Sequence, residues 1–262
     1  DGNSIALAGG CALNCQANLR IQEHGFNVYV SPVSSDRGLA LGSALAVNED
    51  LVGKAKKLEG ICYGQGLDND SISKELSNNG LIQSAKPLDI NSIARHLYNG
   101  KIVGVCYGRS EAGARALGSR SILASAQKPN MKDELNKRIK YREKFRPFAP
   151  AVLDEDGDKL FENYKTSRYM TRNLRANKYA VNNIPACVHI DGTARVQSVI
   201  DQDGLIYKIL KSYKEISGIG VLINTSFNLK GQPIVQTARD SIGTFFQCGI
   251  DILIVGDYVI TK

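Results

Sequence analysis

Residues Tyr207–Ile260 read YKILKSYKEISGIGVLINTSFNLKGQPIVQTARDSIGTFFQCGIDILIVGDYVI, and this stretch decides the fold class. YKILKSYKEISG (Tyr207–Gly218) reads as a helix, GVLINT (Gly220–Thr225) as a short apolar strand, DSIGTFFQCG (Asp240–Gly249) as a helix and IDILIVGDYVI (Ile250–Ile260) as a strand. Such alternation predicts an α/β protein with a mixed twisted sheet. Upstream, ACVHI (Ala186–Ile190) reads as a further strand, and VQSVI (Val196–Ile200) leads into the first of those helices. FAPAVLDED (Phe148–Asp156) is an apolar stretch, Met131–Lys140 a helix and KIVGVCYGR (Lys101–Arg109) a strand. Before that strand the helix signals agree: Pro87 and Asp89 at the start, Ile90, Ile93, Ala94 and Leu97 on one face, Gly100 at the stop. The polar segment Asn163–Asn183 has no periodic pattern and is expected to be a mobile loop.

The amino-terminal part is smaller. SIALAGG (Ser4–Gly10) reads as a short buried strand running into glycines, CALNCQANLRIQEH (Cys11–His24) as the helix after them, and NVYVSP (Asn27–Pro32) as a second strand. In SSDRGLALGSALAVNEDL (Ser34–Leu51), Asp36 and Gly38 open a helix with Leu41, Ala44 and Leu45 along one face. The composition turns polar between Gly64 and Lys86, which places a boundary there: residues 1–64 and 65–262.

The 262 residues carry a net charge of +7 spread along the chain, which suits small anionic substrates at least as well as nucleic acid. The six cysteines form no paired CxxC blocks and are expected to be reduced, mostly buried thiols. No window has the length and apolarity of a membrane span and the first residues lack a signal-peptide layout, so the expectation is a soluble, cytoplasmic protein. No Ser, Cys or Thr is tied to a His by any catalytic spacing.

Two basic motifs carry the chemistry: EAGARALGSRSILA (Glu111–Ala124), with Arg115 and Arg120, and NKRIKYREKFRPFAP (Asn136–Pro150), with Lys140 and Arg146. Guanidinium forks match phosphate and carboxylate oxygens and Lys adds a point charge, so the set predicts an anion site. The aromatic and proline neighbours of Arg146 are expected to hold its stem and aim its head, while Lys137, Arg138 and Arg142 read as surface charges. Glu111 and Glu143 are candidates to orient arginines. NTSFN (Asn224–Asn228) follows an apolar strand, where side chains emerge at a strand end. Taken alone it is an ordinary turn cap; beside the arginine motifs, Asn224, Thr225, Ser226 and Asn228 become polar readers able to donate and accept. In HIDGTARVQ (His189–Gln197), Asp191-Gly192 reads as a turn, His189 as a core histidine and Arg195 as a site residue.

In this order the four motifs EAGARALGSRSILA, NKRIKYREKFRPFAP, HIDGTARVQ and NTSFNLKGQPIV (Asn224–Val235) resemble the family of nodulation-factor, cephamycin and tobramycin O-carbamoyltransferases. The resemblance covers nearly the whole chain. It implies the tail of an actin/Hsp70-ATPase-like domain over residues 1–64, a YrdC-like domain over 65–262, and a missing amino-terminal part. It further implies that the second domain takes carbamoyl phosphate and ATP with Mg2+, forms carbamoyl adenylate, and passes the carbamoyl group to a small-molecule hydroxyl acceptor in the first. On this resemblance Arg115, Lys140, Arg146 and Ser226 are the catalytic candidates, with Arg120, Arg195, Asn224, Thr225, Asn228, Gly9 and Gly10 as substrate or nucleotide contacts. The family's Fe2+ site pairs histidines; this chain has only His24, His96 and His189, so Asp36 is left as an incomplete ligand and no intact iron site is expected. The chain departs from the family at Ala112, Ala114 and Ser119, where Phe, Pro and Asn are usual, which predicts a looser loop. A threonylcarbamoyl-adenylate synthase of tRNA modification and a non-catalytic RNA- or anion-binding module are the alternatives.

Overall fold

A computed structural model describes residues 2–54, 58 and 60–262. Parallel strands β1 (Ser4–Leu7) and β2 (Asn27–Val30) flank helix α1 (Cys15–Glu23), and α2 (Gly38–Val52) follows. The larger part contains α3 (Asn69–Asn78), β3 (Lys86–Pro87), α4 (Ile90–Tyr98), β4 (Val103–Cys106), β5 (Arg120–Ser125), α5 (Met131–Leu135), β6 (Ala149–Leu153) and α6 (Gly157–Leu160). It continues through β7 (Asn173–Arg175), α7 (Lys178–Asn183), β8 (Thr193–Arg195), β9 (Gln197–Val199), α8 (Leu205–Ser217), β10 (Val221–Ser226), α9 (Ala238–Gln247), β11 (Ile252–Val255) and β12 (Tyr258–Thr261).

Eight of these strands form one mixed sheet in the order β3-β12-β11-β4-β5-β10-β6-β9, with β4–β11 and β6–β9 parallel. Both faces are covered, which is why its central strands β4, β5 and β6 are buried along their whole length. Ile93 and Leu97 of α4 and Ile209 and Tyr213 of α8 pack with Val105, Leu123 and Leu222 on one face. Ile72 and Leu76 of α3 and Ile242 and Phe245 of α9 join Ile122, Ile223 and Leu253 in the other core.

Several expectations are corrected. Ala186–Ile190 is not a strand: the chain turns there, with the His189 amide donating to the Thr193 carbonyl and the Gly192 amide to the His189 carbonyl, and the strands begin at Thr193 and Gln197. Asn163–Asn183 is built structure, holding β7, α7 and the buried Ser167, Met170, Thr171 and Asn173. Ile250–Ile260 is a hairpin of β11 and β12 folded at Gly256, whose positive φ of 53° suits the turn. The polar stretch after Gly64 hides α3, whose Ile72 and Leu76 are buried, and the expected end of the first part near Gly60 adjoins residues outside the described set. β1 is not buried; it alternates exposed and half-buried residues. Met131–Lys140 begins as α-helix and widens into a π-helical turn at Asn136–Lys140.

The two parts touch where α1 meets β7: Asn18 Nδ2 donates to the Thr171 carbonyl, and Cys15 Sγ to that of Met170. By contrast α2 buries none of its residues; Leu39 is 71% and Leu51 81% exposed. All six thiols are free, four of them buried. Among the described residues no helix is long and apolar enough to cross a membrane.

Candidate active site

The site opens where the sheet loses a strand pairing. β10 pairs with β5 through Ser226, but its pairing with β6 ends at Asn224–Ala149, so Thr225 and Ser226 keep one neighbour only. Two adjoining cavities, of about 310 and 280 Å3, lie there and share Arg142, Arg146, Thr225 and Ser226. Arg115, Arg195 and Asn224 line the first; Lys140, Glu143, Asn228 and Lys230 line the second. The structure thus brings together Arg115, Lys140, Arg146, Arg195, Asn224, Thr225, Ser226 and Asn228, drawn from distant parts of the chain.

Three side-chain atoms of the first cavity are enclosed and have no hydrogen-bond partner: Nε of Arg115, Nε of Arg195 and Oδ1 of Asn224. A buried group left unpaired costs about 1–3 kcal/mol, more if charged, so each of the three calls for a partner. Burial, and next the neighbouring Arg115, pull Arg195 down to about 10. Burial and then Arg146 lower Arg142. Like charges crowded into a partly dry groove raise its positive potential, which favours an anion there.

Lys140 ends the π-helical turn, and the next residue, Tyr141, takes the left-handed conformation at φ 46°. Single π-turns inside helices often occur at functional sites. Here the turn aims Lys140 Nζ at the NTSFN loop, where it donates to the Ser226 carbonyl (2.6 Å), Asn228 Oδ1 (2.9 Å) and the Asn228 carbonyl (3.1 Å), with Ser226 Oγ at 3.3 Å. Three ammonium protons face four oxygens, so Lys140 holds the loop in shape rather than offering free donors. Burial, followed by Arg142, lowers its pKa to about 7.

Some site expectations change. Arg120 is 0% exposed, and its guanidinium donates to the carbonyls of Gln65, Tyr107, Gly108, Ser119 and Gln236. Its donors are spent on the backbone, so it braces the fold and lines neither cavity. The aromatic wall belongs to Arg142, whose guanidinium lies 4.6 Å from the Phe148 ring centroid and donates through Nε to Asn136 Oδ1 at 2.7 Å. Arg146 is instead exposed and paired with Glu143 at 3.0 Å, and Phe145 beside it is 77% exposed. Arg142 is therefore the site residue that its charged neighbours KYREK concealed. Arg138 is paired with Asp251 at 2.9 Å rather than solvated. Glu111 orients no arginine; its Oε1 accepts from the amides of Leu117 (2.7 Å) and Ser119 (2.8 Å), bracing the loop that Ala112, Ala114 and Ser119 were expected to loosen. Met170 and Gln197, which the sequence did not single out, line the site or brace Asn224.

Gly9 and Gly10 are exposed at the start of a 3-10 turn and line neither cavity. Asp36 is exposed and caps no helix; Arg37 precedes α2 without a side-chain cap. Among the described residues no three His, Cys, Asp or Glu groups gather to hold a metal.

The family model described as the carbamoyltransferase C-terminus matches residues 94–262, and that of the carbamoyltransferase N-terminus matches residues 2–45. The chain belongs to the carbamoyltransferase family. Among its relatives by sequence are the nodulation protein NolO of Bradyrhizobium diazoefficiens, 36% identical with 98% of this chain and 49% of the relative covered, and the nodulation protein U of Rhizobium tropici, 37% identical with 87% and 39% covered. An uncharacterised protein of Methanocaldococcus jannaschii is 36% identical over 98% of this chain and 44% of its own length. The chain thus spans about half the length of the curated relatives it matches. Full-length HypF in a phosphate- and nucleotide-bound form overlaps 72% of this chain and 28% of its own, with a TM-score of 0.46 and 17% identity.

Proposed function

We propose that the groove at the end of β10 binds carbamoyl phosphate and ATP and forms carbamoyl adenylate, the carbamoyl group then passing to a hydroxyl of a small-molecule acceptor. The observation that carries this reading is the first cavity itself: two unpartnered guanidinium Nε atoms and one unpartnered amide oxygen among arginines. Carbamoyl phosphate offers acceptor oxygens and a donor NH2, which matches that set.

The reaction balances with carbamoyl phosphate and water giving carbamate and phosphate. A carbamate oxygen then attacks the α-phosphorus of ATP, and pyrophosphate leaves with the displaced bond's electrons. Two anions must meet, so the residues work by neutralising charge and fixing geometry rather than by forming a covalent intermediate. Arg115 and Arg195 grip the carbamoyl and phosphate oxygens, Arg142 and Arg146 bridge the two cavities, and Lys140 keeps Ser226 and Asn228 in place. Mg2+ accompanies the nucleotide, held mainly by phosphates and water.

The test is release of phosphate and pyrophosphate from ATP and Mg2+ with carbamoyl phosphate present or omitted. Carbamoyl-phosphate-dependent pyrophosphate release is expected, reduced about 100-fold or more by Arg195→Ala, in line with losing a charge-stabilising donor. Release that needs bicarbonate and threonine instead, or none from a folded chain, would overturn the assignment.

A further inference from the structure

His189, expected in the core, lines a third cavity of about 220 Å3 together with Cys15, Asn173 and Arg195. This cavity shares Pro147, Phe148, Ala149 and Arg195 with the first and no residue with the second, which joins the first through Arg142, Arg146, Thr225 and Ser226. The three therefore lie in a row with the first in the middle. Around His189 the hydrogen bonds run in one sense. Asp191 Oδ1 accepts from the Thr193 amide at 3.0 Å and from the Thr193 hydroxyl at 2.7 Å. Burial works against this carboxylate, but the bonds from Thr193 outweigh it and keep Asp191 ionised, an acceptor only. The single hydroxyl proton of Thr193 is thus spent on Asp191, and its oxygen, 3.2 Å from His189 Nδ1, is left to accept. Nδ1 then carries the imidazole proton, and Nε2 keeps its lone pair. Burial lowers the pKa of His189, opposed by Asp191 and assisted by Arg195 and Lys132, so the ring is neutral at pH 7. Burial also holds the Cys15 thiol protonated. Of the residues on this wall, His189 is the one able to take up a proton.

We propose that His189 is a catalytic residue whose Nε2, facing the third cavity, takes a proton from the water that hydrolyses carbamoyl phosphate. Thr193 and Asp191 are the positioning residues that keep Nε2 a base. The inference rests on the function proposed above and supplies its hydrolytic step. Phosphoryl transfer sets the entering and leaving oxygens in line across phosphorus. With the phosphoryl group at Arg195 and the carbamoyl end toward Arg142 and Arg146, water enters from the third cavity and carbamate departs toward the second, where ATP is held. The water oxygen bonds to phosphorus as its proton passes to Nε2. The bond from phosphorus to the bridging oxygen breaks, and its electron pair leaves with carbamate. The products are carbamate, hydrogen phosphate and an imidazolium whose Nδ1–H stays on Thr193. Once phosphate departs, the imidazolium faces Arg195 without a counter-charge and returns its proton to solvent.

In water enriched in the heavy oxygen isotope, the unmodified chain is expected to place the label in the phosphate released. Label in carbamate instead would mean attack at carbon and overturns the proposal, with no variant needed. His189→Gln should lower pyrophosphate release from carbamoyl phosphate about 100-fold or more, in line with losing a general base. Ammonium carbamate given in place of carbamoyl phosphate bypasses hydrolysis and should restore the unmodified rate in that variant. An equal loss with both substrates would make His189 structural and overturn the assignment. The acid-side fall of kcat/KM for carbamoyl phosphate should be absent in His189→Gln and moved to lower pH in Thr193→Val, which takes away the acceptor of the imidazolium Nδ1–H. If neither carbamoyl phosphate nor carbamate supports release from the unmodified chain, the function proposed above fails and takes this inference with it. If both do and His189→Gln is unaffected, the inference alone fails.

Discussion

At the scale of single residues, Lys140 is where opposing physical effects meet. Burial draws its pKa from 10.5 to about 7, with Arg142 adding to the effect, while the oxygens of Ser226 and Asn228 around Nζ favour the ammonium form. The folded-state value lies below the unfolded one, so between about pH 7 and 10.5 the unfolded chain binds the extra proton and stability rises with pH. From pH 7 to 9 the gain reaches about 2 kcal/mol, to be read from urea unfolding followed by circular dichroism and expected to vanish in Lys140→Met. Parallel profiles for the two proteins would mean that the four oxygens hold the ammonium across this range. An anion in the groove adds the opposite charge and raises Lys140. Binding of inorganic phosphate at pH 8 is therefore expected to take up protons, seen as a dependence of the calorimetric heat on buffer ionisation enthalpy. A heat independent of buffer would remove Lys140 from the site's electrostatics.

At the scale of elements, the loop Glu111–Ser119 and the π-helical turn Asn136–Lys140 do the positioning. The loop has an Ala-rich sequence with little of its own to hold a shape; the Glu111 carboxylate grips the amides of Leu117 and Ser119, while Asn224 and Gln197 hold the Ala116 and Leu117 carbonyls. Glu111→Gln keeps an acceptor but loses the charge assistance. It is expected to cost about 1–2 kcal/mol in urea unfolding and to weaken carbamoyl phosphate use, because Arg115, Ala116 and Leu117 all sit on that loop. Unchanged stability and activity would show the loop to be held by other contacts. The helix pattern over Met131–Lys140 was readable as an element, yet its π-widening was not. The extra residue in the last turn is set by what Lys140 reaches across the fold, and hydrophobic spacing carries no such information. The same holds for Asn163–Asn183, whose β7 and α7 pair and pack with α1, β8 and α6 rather than showing a periodicity of their own.

At the scale of the whole molecule, stability is divided unevenly. The eight-stranded sheet has a core on each face, while among the described residues of the first part a small cluster gathers around Ala12, Val28 and Val30, and α2 buries none of its residues. Leu97→Ala, in a residue 0% exposed, is expected to cost about 2–5 kcal/mol, and Leu51→Ala, 81% exposed, less than about 0.5 kcal/mol, both measured by denaturant unfolding. A large effect at Leu51 would mean that α2 is covered in solution.

The α/β class, most of the strands and helices around GVLINT, and the four motifs that carry the site were readable from the chain, because hydrophobic periodicity and local residue chemistry are written in sequence order. Arg115, Arg195, Ser226 and Asn228 could be named from those motifs together with the family resemblance that they carry. Only the tertiary structure decided which charges face the groove. Arg120 and Arg142 are both arginines in basic motifs, yet one is consumed by five backbone carbonyls and the other is laid on Phe148 at the mouth of both cavities. Whether a donor is free depends on which carbonyls the fold brings within 3 Å of it, and Gln197 and Asn224, 27 residues apart, meet only when β9 and β10 are set against the Ala116–Leu117 loop.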